Sequence, residues 1–493
     1  MIKGLLILEE EVNDMKLFKD KKVWLILFIV LIFFGTLCKL NFSVDTYLLF
    51  AAKDLSYMRE FLQSGRIITT IFFTFLMIFK LDINIIYFIS YILAITFSTL
   101  SIYNLYKLVL KYTKREILSL IVSVLIIINP FIIELWLFAE AGIMMFAIYS
   151  SVKAVTYFDR YLESKSNKNL IYSILFMLLS VSSYQGVVAL FTSLSVILII
   201  NKSKNIKEFI LNNIMMLLTY AIPSIINLLF INIFKSDRVG NHNILDSIKL
   251  VLKSTDKLFL NAFGLFPSDL FKVFILIAIL LLIISILYNS KSRLKLIIGF
   301  IYAILMLYIF SVLPLIFQSV EDMAMYPRSI YAFASLIGII ILYYSLNIEN
   351  IKYITYIFIT ISILVLVIEL TNFIKIEMNR YRVNEEDREI ILSINDKINK
   401  YEEETKYKIT KLVIYNQDNS TKFYSDIKDN INVSAISESP SNLALLTFYT
   451  HKKFELIDEN KYIYDFYFKN KNWEKFNLDQ VVLIQDTMYW YLY

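Results

Sequence analysis

The chain has 493 residues, 58% hydrophobic and 16% aromatic, with a mean hydropathy of +0.61; it repeatedly offers apolar runs long enough to cross a bilayer instead of one soluble core. Its net charge of +6 comes from short basic clusters between those runs, a pattern that sets membrane orientation and argues against nucleic acid as a partner. One cysteine (Cys38) and two histidines (His242 and His451) exclude an internal disulfide and a Cys/His zinc site, and the nine glycines form neither a dinucleotide fingerprint nor a phosphate loop.

Residues 1–22 place Lys16, Lys19, Lys21 and Lys22 before the first apolar run with no small-residue cleavage site after it, which predicts a cytoplasmic N-terminal segment and a retained anchor. Apolar runs at 23–40, 83–106, 116–133, 138–158, 169–184, 186–200, 209–233, 271–288, 296–317, 329–346 and 351–373 predict an α-helical polytopic membrane protein with about eleven transmembrane helices. The run 67–79 is too short to span and is followed by Lys80 and Asp82. The basic linkers around Lys107, Arg160, Lys202 and Lys291 all fall on the cytoplasmic side only if 67–79 does not cross. The expectation is therefore that outer juxtamembrane helices occupy 45–80, and that the turns at 129–142, 182–185, 236–269 and 318–328 also lie outside. Pro130, Pro267, Pro314 and Pro327 lie at or near these outer ends, where helices break and backbone can line a cavity.

After Phe373 charge rises and no run is long enough to span, so 23–373 is expected to be the membrane domain and 374–493 a small extracytoplasmic α/β domain. Ile390, Ile394 and Ile398 recur every four residues among charges, an amphipathic helix pattern, and "KLVIYN" (Lys411 to Asn416) and "VVLIQ" (Val481 to Gln485) predict short buried strands.

The stretch Asp45 to Arg66 is unusually charged for its place behind the first apolar run. Arg59, Gln63 and Arg66 fall at helix-like spacing on one face, so an interfacial helix could turn that face to a cavity; the plainer alternative is a solvated helix with ordinary surface ion pairs. "SVDTYLL" (43–49), "FLQSGR" (61–66), "SSYQG" (182–186) and "YPRSIYAF" (326–333), in that order, resemble the membrane glucosyltransferases that decorate bacterial O-antigen from a polyprenyl-phosphate sugar, over about residues 40 to 370. Where that family often pairs two acids, this chain has Asp45 followed by Thr46.

The resemblance, and the wider GT-C class of multispanning glycosyltransferases, implies an active site on the outer face of a bacterial cytoplasmic membrane and an acid in the first outer loop, here Asp45. A sugar hydroxyl is a poor nucleophile, and a carboxylate within hydrogen-bond reach can take its proton. The leaving group is a lipid phosphate, whose growing charge guanidiniums stabilise; Arg66 is the first candidate, with Arg328 and Arg59 behind it. Each arginine could instead anchor its helix to lipid headgroups, Arg59 more readily than Arg66 or Arg328. Glu134 and Glu140 could bind sugar or acceptor hydroxyls, with Trp136 stacking on a sugar face, or could belong to a solvated turn. Tyr184 and Gln185 suit hydroxyl recognition or helix capping. Glu321 and Asp322 either hold a divalent ion, the one cofactor left open, or pair with Arg328; pairing is favoured because a metal wants more oxygen ligands than two adjacent acids supply.

The implied reaction moves a hexose, with glucose the leading choice, from a polyprenyl-phosphate donor to a cell-surface glycan acceptor. Two rivals remain: a surface-polysaccharide polymerase, which usually carries a larger outer loop than 236–269, and a lipid-linked sugar flippase or transporter, which would show more ionisable residues deep in its spans or a half-and-half repeat.

Overall fold

The computed structural model describes residues 20–492, less 39–41, 52–55, 82, 235–245, 250, 254–261, 268, 290–292, 317–325, 349–350, 417–432, 438–440, 470, 472 and 474–475. The chain is mostly helical with a small C-terminal sheet, and it divides into two units: Met1–Cys38 with Met58–Ile374, and Lys39–Tyr57 with Lys375–Tyr493.

The described helices are α1 (Lys21–Phe34), α2 (Val44–Ala51), α3 (Ser56–Gln63), α4 (Ile67–Ile78), α5 (Ile83–Thr113), α6 (Glu116–Ile127), α7 (Ile132–Trp136), α8 (Ala141–Ser164), α9 (Asn167–Ser183), α10 (Ala189–Lys202), α11 (Ile206–Ile233), α12 (Leu270–Asn289), α13 (Arg293–Ile316), α14 (Leu336–Asn347), α15 (Lys352–Thr405), α16 (Ser441–Thr450) and α17 (Lys461–Tyr467). Eight helical stretches among the described residues are long and apolar enough to cross a membrane: α5, α8, α11, α12, α13, α15, and α10 and α14 once the tighter turns before them are counted, giving Gln185–Lys202 and Pro327–Asn347. Three further expected spans, 23–40, 116–133 and 169–184, correspond to α1, α6 and α9, with 14, 12 and 17 residues. At ~1.5 Å per residue these are about 21, 18 and 26 Å long. The 12-residue α4 is likewise below the ~20 residues of a full crossing.

Within the first unit α5 packs along α8, α8 along α9, and α9 along α11. Small residues let these backbones approach: a Cβ on Gly142 would lie 2.6 Å from the Ser90 carbonyl oxygen, the Ser180 hydroxyl bonds the Ala147 carbonyl at 2.9 Å, and that of Ser173 bonds the Ala154 carbonyl at 2.8 Å. Such close crossings, with hydroxyls bonding across them, suit helices whose surroundings supply no hydrophobic drive to associate. Ile214, Leu218, Ile225, Leu276, Leu280, Ile298 and Ile301 on α11 to α13 stay exposed, as expected where lipid is the neighbour.

The chain breaks helix after α6. Asn129 accepts from the Phe131 N–H (3.0 Å) ahead of Pro130, and the carbonyls that end α6 are capped from far away: Ser335 Oγ donates to Ile126 O at 2.7 Å and Tyr331 OH to Ile127 O at 2.6 Å. Free helix-end carbonyls are costly in an apolar setting. Satisfying them draws the tight turns Pro327–Ser335 onto the end of α6.

The second unit holds a four-stranded mixed sheet of β1 (Lys411–Asn416), β2 (Glu455–Leu456), β3 (Val481–Ile484) and β4 (Thr487–Leu492), in the order β2-β1-β4-β3. β1 runs parallel to β2 and β4, and β3 pairs antiparallel with β4. Val413, Tyr415, Phe468 and Tyr491 form its core against α17. The expected strands are present as β1 and β3, whereas the tail strand β4 is an addition. Helix is present at 390–398, but Ile391, not Ile390, joins Ile394 and Ile398 in the fully buried stripe. The repeat of four does not follow one face, because the helical period of 3.6 alternates steps of three and four. Carried back along α15, that stripe reads Asp387, Asn384 and Arg380, all buried.

Candidate functional site

The turn between α9 and α10 is the centre of a charged cluster in the first unit. Tyr184 is buried there, and its phenol is pushed up by burial, against the pull of the Arg328 and Arg66 guanidiniums and with smaller pushes from Glu134 and Glu140. The Arg66 guanidinium lies 4.8 Å from the Tyr184 ring centroid, and its Nη1 is 3.4 Å from Glu140 Oε1. Arg66 Nε is buried and has no hydrogen-bond partner among the described residues.

Local sequence explains how Arg66 comes to this place. α3 ends at Gln63, the chain turns through Gly65 at φ +72°, and Arg66 opens α4. That left-handed φ suits glycine, and a Cβ on Gly65 would also lie 2.6 Å from Asn227 Nδ2. Gln185 Nε2 donates to Ser64 O at 2.9 Å, tying this turn to the one that holds Tyr184. The helical face expected to join Arg59, Gln63 and Arg66 is therefore interrupted: Arg59 is exposed on α3 and Arg66 starts a different helix.

Arg328 is held more firmly. Its backbone N–H donates to Glu134 Oε2 at 2.7 Å and its Nη1 to Glu134 Oε1 at 2.6 Å, while its guanidinium lies over the rings of Tyr326 (4.4 Å) and Phe138 (4.7 Å). Glu134 sits on the short α7, just past the break after α6, and the capped turns Pro327–Ser335 bring Arg328 to it. Gly186 closes the arrangement, since a Cβ there would lie 2.4 Å from the Arg328 carbonyl oxygen and 2.7 Å from the Tyr184 ring. The structure thus brings Arg66, Glu134, Glu140, Tyr184, Gln185 and Arg328 into one neighbourhood.

Other expected site residues stand elsewhere. Trp136 is buried and stacked on Phe34, centroids 4.2 Å apart and planes within 5°, with Tyr91 edge-on at 5.8 Å, so it is a core residue and not a platform for a sugar. Glu321 and Asp322 lie outside the described residues. Asp45 belongs to the second unit: it is half-buried in the first turn of α2, and its carboxylate has no hydrogen bond or ion pair among the described residues. Among the described residues no group of three or more His, Cys, Asp and Glu could hold a metal ion.

Three features escaped the sequence reading. Glu134 as the partner of Arg328 lies 194 positions away, beyond any local pattern. So does a second charged cluster at the far end of α8, where buried Asp159 meets Lys202 (2.5 Å) and Lys111 (2.8 Å) and Glu163 meets the same two lysines. The third is the polar stretch of the buried stripe on α15. Arg380 donates from Nε to Phe42 O (2.8 Å) and from Nη1 to Val433 O (2.6 Å). Asn384 takes the Phe42 N–H at 2.8 Å and donates to Phe42 O at 3.1 Å. Asp387 accepts from Ser434 Oγ (2.6 Å) and the Ala435 N–H (2.9 Å).

No family model matches the chain, and neither a curated protein nor a solved structure matches it.

Proposed function

We propose that the chain is a membrane glycosyltransferase of GT-C-like architecture, with about eleven crossings, that moves a hexose from a polyprenyl-phosphate donor to a cell-surface glycan on the extracytoplasmic face. Bond making is between the acceptor oxygen and the anomeric carbon. The acceptor proton goes to the Asp45 carboxylate, and the bond from the anomeric carbon to the donor phosphate oxygen breaks with its electron pair left on the phosphate. Arg66 grips that phosphate.

The observation that carries the reading is the contrast between the two arginines around Tyr184. Arg328 is held by Glu134 through its backbone N–H and its Nη1, at 2.7 and 2.6 Å, whereas Arg66 meets Glu140 at 3.4 Å and has a buried Nε with no hydrogen-bond partner among the described residues. A guanidinium so placed has donors to offer a bidentate anion, and an anion that gathers charge as its bond breaks gains most from donors already in position. Eight apolar helical stretches of spanning length among the described residues supply the setting for a lipid-borne donor.

Glycan analysis of cells carrying Asp45→Asn or Arg66→Ala, beside wild type and a deletion, tests the reading. Both variants are expected to insert at normal levels and to lose one side-branch sugar, as the deletion does. Wild-type glycan in the deletion would overturn it. Shortened chains would point to a polymerase, and an unextended lipid-linked precursor left on the inner face to a flippase.

A further inference from the structure

The second unit is built around the peptide that precedes Asp45. Both polar atoms of Phe42 are taken by one buried helix face: its N–H by Asn384, its carbonyl by Asn384 and by Nε and Nη2 of Arg380. Buried backbone N–H and C=O groups outside regular structure need partners of this kind, since no ladder or helix supplies them. Next in the chain, Ser43 caps α2, its carbonyl accepting from the Thr46 N–H at 3.0 Å and its hydroxyl lying 2.7 Å from that of Thr46. One turn beyond, the Tyr47 ring sits among Phe42 (5.4 Å), Phe448 (5.8 Å) and Tyr449 (6.2 Å). Asp45 is thus fixed between two anchored residues while its own carboxylate has no partner among the described residues.

This arrangement also explains why the buried stripe on α15 turns polar. Ile391, Ile394 and Ile398 could have been followed back by apolar residues, which pack at lower cost than an arginine wholly out of water. Hydrogen-bonding side chains at 380 and 384 instead specify one register for an irregular segment that has no strand or helix to set it.

We propose that Arg380 and Asn384 are positioning residues for Asp45, and that the C-terminal domain serves the transfer reaction as the platform that holds this carboxylate in place. The proposal rests on the reading of Asp45 as the base. Displacing a reacting group by about 1 Å costs on the order of a hundredfold in rate, so loss of the grip on Phe42 is expected to act on turnover and not on donor binding.

The test uses full-length protein in membranes, a short-chain polyprenyl-phosphate glucose as donor, and membranes of deletion cells as acceptor. Asn384→Leu is expected to lower kcat at least tenfold with the donor KM within twofold. Hydrogen exchange is expected to quicken over 42–50 and to stay unchanged over α5, α8 and α10. On an Asp45→Asn background the same substitution is expected to cost nothing further, because it acts through a carboxylate already gone; a general loss of folding would multiply the two effects. Asn384→Asp keeps the acceptor for the Phe42 N–H and loses the donor to Phe42 O, and its rate is expected to fall between those of Asn384→Leu and the wild type. An Asp45→Asn variant with wild-type turnover would sink the reading of Asp45 as base. An inactive Asp45→Asn beside a fully active Asn384→Leu, or losses that multiply, would overturn the positioning role alone.

Discussion

Glu134 receives both the backbone N–H of Arg328, at 2.7 Å, and its guanidinium, at 2.6 Å. The carboxylate is almost wholly out of water, 3% exposed, and the guanidinium 20% exposed. Removing one partner of such a pair strands the other, at a cost of about 3–5 kcal/mol. Glu134→Ala is therefore expected to lower the melting temperature in detergent sharply, with Glu134→Gln losing less because its amide oxygen still accepts the N–H.

Arg66 is expected to behave in the opposite way. Its contact with Glu140 is longer and it makes one ring contact among the described residues, with Tyr184, so Arg66→Ala is expected to cost less stability than Glu134→Ala while lowering sugar transfer on the order of a hundredfold. Melting curves and transfer rates measured on the same preparations check the division of labour between the two arginines. A variant that melted early and kept its activity would reverse the assignment.

Gly186→Ala tests the packing behind the cluster. The added carbon would meet the Arg328 carbonyl at 2.4 Å, and neither backbone can yield without moving the turns that hold Arg328 and Tyr184. Overpacking of this kind costs about 1–3 kcal/mol. The expected result is lower stability, together with a changed accessibility of Arg328 to a guanidine-reactive dicarbonyl.

Stability of the second unit is expected to depend on pH through two buried acids. Burial pushes Asp387 from 3.8 up to about 6, against its bonds from Ser434 and Ala435 and the field of Arg380, and burial pushes Glu377 from 4.5 up to about 8. Each acid is protonated more readily folded than unfolded, so its contribution is fully present below its unfolded value and is lost as pH rises through its folded value. Stability should thus fall from about pH 4 to pH 8. Asp387 accounts for about 3 kcal/mol of this between pH 4 and 6, roughly two units at ~1.4 kcal/mol each. Hydrogen exchange over 433–437 in the full-length chain measures the slope, and Asp387→Asn should remove the Asp387 share below pH 6, leaving the part that Glu377 contributes up to about pH 8.

Local pattern carried the sequence reading as far as local physics reaches. The short apolar runs at 411–416 and 481–485 give β1 and, over 481–484, β3, and the short apolar run at 67–79 is a half-length helix starting at the expected residue. What was missed depends on partners distant in the chain. Phe42 and Asn384 are 342 positions apart, so nothing near residue 42 betrays that 39–57 folds with the C-terminal residues. Trp136 read as an interfacial aromatic because its ring count is visible in sequence and Phe34 beneath it is not. In the cluster itself, the residue types at 66, 134, 140, 184 and 328 were legible, whereas the pairing of Arg328 with Glu134 required the break after α6.

The two charged ends of α8 have a consequence for the lipid around it. From Glu140 to Asp159 the helix rises about 29 Å, at ~1.5 Å per residue, close to the ~30 Å hydrocarbon layer of an ordinary bilayer. With α8 read as a crossing, neither end would slide inward without dragging ionic groups into oil, and α8 would act as a gauge of membrane thickness. Reconstitution into lipids of graded acyl-chain length should find one best fit, and in thicker or thinner leaflets the bundle must tilt or the lipid must stretch or thin to meet it.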